Sequence, residues 1–444
     1  TGVQLNNLES TDLSALSSAQ LRALSTAAIA GLDSADIAAL GSNQLAPLTS
    51  SQLRAIETAD LRAIGTAALF GLSSGQIGAL TAGQLAAMGS DQLQSLTSAQ
   101  LRGLSTAQIA SLSTDNLNTL TSDQFRQLGS AQIAALTTAQ ASNLESSDLA
   151  ALTTQQVRWL STKSLAAMDS ADIAALSTDQ MIALTSQQLR VIATSEVASL
   201  GSITIAGLNA SQIGALTSGQ IHALSSDALQ SLTSAQLRGL TTAQLAAMGT
   251  NDLNTLTSDQ FRALSSAQIA ALTTTQIANL ETTDLAALTS AQLRALSTAG
   301  LVALDSSDIA ALSAAQVGAL STAQIRAIQS NDIVGLTTNA VQGLGSAQLA
   351  ALDSAQLGAL NSAQWQAIGS AQLKGLSTAQ IASLSTEDLN ALTTDQFRAL
   401  STAQIGALTT LQIANLESAD LAALTNAQVR SEEHTSELQS PRCI

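Results

Sequence analysis

The chain repeats itself every eight residues, and this period limits its possible folds more than any other feature. Counted from Thr1, successive blocks read TGVQLNNL, ESTDLSAL, SSAQLRAL, STAAIAGL and DSADIAAL, and the frame runs without insertion or deletion through 53 octads to Glu417–Leu424. Position eight is always Leu, Ile or Met. Position five is an apolar residue in every copy, with Ala141 the smallest. Position two is almost always Ser or Thr, position four is mostly Gln or Asp, and position one is mostly Thr, Ser, Gly, Asp, Glu or Asn. Self-similarity this strict marks a solenoid or array.

Thr289–Leu296, TSAQLRAL, stands for the rest. The residues at position one are those favoured at a helix N-cap. Gln or Asp three residues later can reach back to the cap N–H, as in a capping box. The preceding position-eight Leu can pack on position five as a hydrophobic staple. Ala, Gln, Leu and Arg fill the remainder, and all are good helix formers. Each octad is therefore expected to form one short capped helix. Such a helix has too few hydrogen bonds to persist alone. Its position-five and position-eight side chains must be buried against neighbouring layers, which gives a one-dimensional stack. Small residues at position seven would let neighbouring segments approach closely.

Two rival folds fit less well. In one continuous helix, eight residues overshoot two turns by about 80°, so the apolar pair would wind around the axis and leave no stripe. A β-solenoid remains the alternative, but apolar spacings of three and five with Ala and Gln between lack the period-two alternation of strands. The expected fold class is an all-α repeat solenoid of short capped helices.

A longer period lies over the octads. Phe125, Phe261 and Phe397 follow one another at 136 residues, or 17 octads, and Glu9, Glu145, Glu281 and Glu417 share that spacing. Within a block, acidic first positions recur at 24 residues (Glu281, Asp305), and position-six Arg recurs at 32 (Arg126, Arg158, Arg190). If one face recurs once per turn, a turn holds three to four octads.

The array is expected to be a single uninterrupted domain over 1–430. It breaks after Arg430, and Arg430–Ser440, RSEEHTSELQS, resembles the translation of a sequencing-library adapter. Residues 431–444 are therefore read as a non-native tail, which removes Cys443, Pro441 and His434 from consideration. Thr1 falls within the repeat pattern, so the chain is read as a fragment of something longer.

Composition excludes several functions. Apolar residues reach 45%, but aromatics are only 1%, which suits thin regular layers of Leu, Ile and Ala better than a large globular core. No apolar run is long enough to span a bilayer, so membrane insertion is not expected. The net charge of -16, or -14 without the tail, disfavours nucleic acid and anionic membranes, and no nucleic-acid partner is expected.

Candidate chemistry is sparse. Glu57 with Asp60, Glu145 with Asp148, and Glu281 with Asp284 are carboxylates three apart, which could serve acid–base work or hold Ca²⁺. The simpler account is solvated anions in a helix's first turn. His222, at position six, has no Cys or second His in the array to share a zinc ion. No GxSxG, GxGxxG or GxxxxGK[ST] motif occurs. Trp159 and Trp365 read as local packing substitutions, and Pro47 as a tolerated helix end. The spaced Arg residues, Arg294 among them, read as solubilising surface or a partner-binding ridge. No catalytic, metal or cofactor site is expected, and no enzyme. Hydroxyls at position two recur in nearly every layer, beyond what capping explains. A ladder of them could hold glycan or ice.

The octad, as in Leu264 followed by SSAQIAAL, resembles low-complexity arrays of very large bacterial secreted or surface proteins, often described as adhesion-type. That resemblance implies an extracellular or cell-surface spacer, fibre or stalk that is non-enzymatic and structural or adhesive. Protein or glycan would be held on the repeat surface, and self-association is possible. An intracellular protein-binding scaffold is a further alternative. The LTxxQ opening is also similar to that of DNA-reading TAL-effector repeats, but their longer period, basic charge and base-reading positions are missing.

Overall fold

A computed structural model of the chain describes residues 10–430; the tail 431–444 lies outside the described residues. Every octad from the second to the fifty-third contains one helix of four to six residues, from Ser10–Ser14 to Ser418–Ala423. No strand occurs among the described residues, so the β-solenoid alternative is not what forms.

The reference octad shows why each helix starts and stops. Thr289 is extended, with φ −68° and ψ 156°, and its side chain accepts from the Gln292 N–H. The Gln292 side chain accepts in return from the Thr289 N–H at 2.8 Å. The helix Ser290–Ala295 ends at Leu296, which is extended again at φ −60° and ψ 141°. Position eight therefore turns the chain out of one helix, and position one of the next octad starts another. No described residue has a positive φ, glycine included. The corners are built from extended residues, not left-handed ones.

The chain divides into two compact units, Thr1–Leu224 and Ser225–Ile444. Inside each, a helix packs on the helix three octads later. Ser74–Ile77 lies on Ser98–Gly103 in the first unit, and Ala314–Ala319 lies on Thr338–Gly343 in the second. Side-chain hydrogen bonds described below reach four octads back. A turn thus holds between three and four octads, as the 24- and 32-residue recurrences led us to expect.

The core is the double row of positions five and eight. Leu293 and Leu296 are buried, as are Phe125, Phe261, Phe397 and Trp365. Gly71, Gly103 and Gly343, all at position seven, mark close approaches between turns. A Cβ there would lie 2.3 Å from the carbonyl oxygen of Ser42, Ser74 or Ala314, three octads earlier.

Candidate functional site

The position-four glutamine has two roles, and only one was legible in the sequence. Its Oε1 completes the cap. Its Nε2 donates to main-chain carbonyls on the preceding turn. Gln292 Nε2 donates to Phe261 O and Leu264 O, both at 2.8 Å. Gln156 does the same to Phe125 O at 2.8 Å and Leu128 O at 3.1 Å. The partners are mostly the carbonyls at positions five and eight, four octads back. In some copies position six joins or replaces five, as where Gln212 donates to Ile182 O at 2.8 Å and Gln380 to Ala350 O at 3.1 Å. The amide is buried to do this: Gln220 and Gln364 are 1% exposed. Capping alone would accept Glu as readily as Gln at this position. Yet Glu196 is the one glutamate at position four in the array, and that preference for an amide was the available signal.

Position-two hydroxyls also face the next turn. Ser122 Oγ donates to Asp148 Oδ1 at 3.2 Å and Ser258 Oγ to Asp284 Oδ1 at 2.8 Å. Ser290 Oγ donates to Ala315 O at 3.2 Å. Part of the regularity that capping left unexplained is therefore contact between turns.

Several position-six residues act as outer struts. The Nε of Arg126 and that of Arg262 donate to Ala151 O and Ala287 O, each at 3.1 Å, and Asn118 Nδ2 donates to Asn143 O at 2.8 Å. Each partner is the position-seven carbonyl three octads on. Arg126 and Arg262 also pair with the exposed Asp123 and Asp259 at 3.0 Å. Arg294 contributes its own carbonyl, which accepts from Gln324 Nε2 at 3.1 Å.

The carboxylate pairs do not converge into a site. In Glu145/Asp148 and Glu281/Asp284 the glutamate is the N-cap residue but makes no side-chain cap bond, while the aspartate is 3% exposed. Burial pushes the Asp148 carboxyl above its ordinary range; the Ser122 hydroxyl opposes this and the Glu145 charge adds to it. Asp284 is raised by burial in the same way, opposed by Ser258 and reinforced by Glu281. Asp148 Oδ2 is buried without a hydrogen-bond partner. Glu57 with Asp60 occupies the corresponding cap and first turn of Thr58–Leu61. Among the described residues, no three His, Cys, Asp or Glu side chains lie together in a way that could hold a metal ion.

His222 is exposed at the end of the helix Ser218–His222. Trp365 fills a core position with its indole N–H unpartnered, and Trp159 is half-buried at position seven. Pro47 follows the four-residue helix Ser42–Leu45, which ends before the missing donor would matter. An open groove is lined by Arg158, Ile182, Thr185, Asn209 and Gln212.

A family model described as the ALTTAQ repeat matches the chain in overlapping segments that together span 5–42, 53–122, 141–186 and 189–417. No match was found among curated proteins. Two solved structures align over nearly the whole chain. APUM23 with GGAAUUGACGG shares 12% identity at a TM-score of 0.19, covering 98% of this chain and 94% of that one. APUM23 with GGAGUUGACGG shares 12% identity at a TM-score of 0.18, covering 97% and 88%. Both contain an oligonucleotide, and this corrects the expectation that excluded nucleic acid. Net charge describes the whole surface and does not decide what a local face binds. TM-scores this low say nothing of what this chain itself binds.

Proposed function

The chain belongs to the ALTTAQ repeat family, and from that premise we propose that it is a non-enzymatic structural or adhesive array of a large surface or secreted protein. The observation that carries this reading is the use of polar side chains. The amides at position four, and many of the hydroxyls and guanidinia beside them, are spent on capping helices and joining turns. They do not converge on a reacting centre. The octad frame passes Leu224 and Ser225 without a gap in sequence, which supports reading 1–430 as one array. A bacterial surface location rests on the resemblance of the octad to arrays of that kind. No helix is long and apolar enough to cross a membrane among the described residues.

Antibody against the array, applied to intact source cells, tests the location. Labelling without permeabilisation is expected, and labelling only after permeabilisation contradicts it. A second reading, glycan or ice held by position-two hydroxyls, is favoured by their recurrence on successive turns. Retention on a glycan array or inhibition of ice recrystallisation supports it, and failure of both removes it.

A further inference from the structure

The position-four amide is not spread evenly. Over 145–208 the position-four residues Asp148, Ser164, Asp172, Glu196 and Thr204 replace glutamine in five of eight octads. One block later, over 281–344, the same five places hold Asp284, Gly300, Asp308, Asp332 and Ala340. The block before shows the pattern again, with Asp12, Ala28, Asp36, Asp60 and Ala68. Two of the five places are Asp in all three copies and the other three change residue, but an amide stands at none of them. The other nine octads of a block are nearly all Gln, as in 73–144, where Asn116 is the single exception.

The structure gives this pattern a consequence. A carboxylate has no N–H to donate, and Ala or Gly has no side-chain donor at all. By register, Asp148, Asp172 and Glu196 would serve the carbonyls of Leu120, Leu144 and Met168, which therefore receive no position-four amide. Ser164 reaches only Leu136 O, at 3.4 Å, against the two carbonyls each taken by Gln100 at 2.7 and 2.8 Å and by Gln132 at 2.7 and 2.8 Å. Asp148 Oδ2 is buried and unpartnered, and it has no proton to donate to a carbonyl when ionised. In a stack whose stability is a sum of local and nearest-neighbour terms, losing the amide bonds from the inter-turn term in most octads of a stretch lowers that stretch first.

We infer that the 17-octad block is a mechanical unit, in which eight loosely tied octads (145–208, and again 281–344) open before the nine tied ones. The array then carries yielding segments at a fixed 136-residue spacing.

Hydrogen exchange read by mass spectrometry on the full chain tests this. Peptides within 145–208 and 281–344 should exchange at least tenfold faster than those within 73–144 and 345–400. The five-site variant D148Q, S164Q, D172Q, E196Q, T204Q should slow 145–208 to the rate of its tied neighbour. The variant Q100A, Q108A, Q132A should open a fast-exchanging stretch where none existed. Should the five-site variant fail to fold, the native profile and the second variant still decide. Uniform exchange along the native chain overturns the inference. So does a folded five-site variant whose 145–208 exchange is unchanged.

Discussion

Residues 73–144 and 145–208 lie in the same unit, on the same octad, with the same double row of buried Leu and Ile. Both stretches cap most of their helices. They differ at position four, in the Nε2 donor and in the capping box that the same residue completes, which is missing from the helices at Ser146, Thr162, Thr194 and Ser202. In the first, Gln84, Gln100, Gln108, Gln132 and Gln140 each hold two carbonyls of an earlier turn. In the second, only Gln156, Gln180 and Gln188 do so. Apolar burial and capping build a layer. The amide fixes which layers adhere, so two stretches of nearly identical composition can differ in how firmly their turns are joined.

The largest effect should come from removing the amide where it is most used. Gln100→Ala loses two inter-turn bonds and one to the Thr97 N–H. A net of about 1 kcal/mol per bond makes this about 2–4 kcal/mol, read as a shift in denaturant midpoint. Ser164→Ala, at the same position in the loose stretch, should stay within about 1 kcal/mol. Equal losses at the two sites would break the comparison.

Glycine substitution comes next. In Gly103→Ala the new Cβ lies 2.3 Å from Ser74 O, so turns must separate, at about 1–3 kcal/mol. Gly83 has nothing within 4 Å of its Cβ position. Gly83→Ala, in the helix Ala82–Ala87, should therefore stabilise by about 0.5–1 kcal/mol through helix propensity. Thermal melts of the two variants should shift in opposite directions.

Acidification should act on the loose stretch. Burial raises Asp148 and Asp172 above 3.8 in the folded state. Groups raised in this way contribute stability that is full below the unfolded value and lost as pH rises through the folded one. Asp148 shares its helix's cap with Glu145. The helix before it, Ser122–Gln127, brings Asp123 and Arg126, and the helix after it, Ser170–Ala175, brings Asp172 with the cap residue Asp169. Most of these neighbours are acidic, so lowering the pH from neutral toward 3.8 should protect 145–208 relative to 73–144, after correction for intrinsic exchange. The smallest effect belongs to Arg126→Ala, which removes an exposed strut and ion pair. It should change stability by no more than about 1 kcal/mol.

Much of the fold was legible because the octad overdetermines it. Thr289 and Gln292 announce the cap, Leu293 and Leu296 announce the core, and the 24- and 32-residue recurrences bracket the turn. The inter-turn amide was hidden because Gln satisfies a capping box on its own, so nothing local demanded a second role for it. The struts at Arg126 and Arg262 were hidden for a related reason: a surface Arg looks the same in sequence whether or not a carbonyl from the next turn lies beneath it. Nucleic acid was excluded from net charge, a property of the whole chain that does not describe any one face.

The central claim is that position-four Nε2 groups join turns. Side-chain amide exchange of selectively ¹⁵N-labelled glutamine, followed by NMR on the native chain, tests it without changing a residue. Gln100, Gln132 and Gln292 should exchange at least tenfold more slowly than Gln155 and Gln187, which are exposed at position three. Equally fast exchange in both groups would mean that the amides cap their own helices and join nothing.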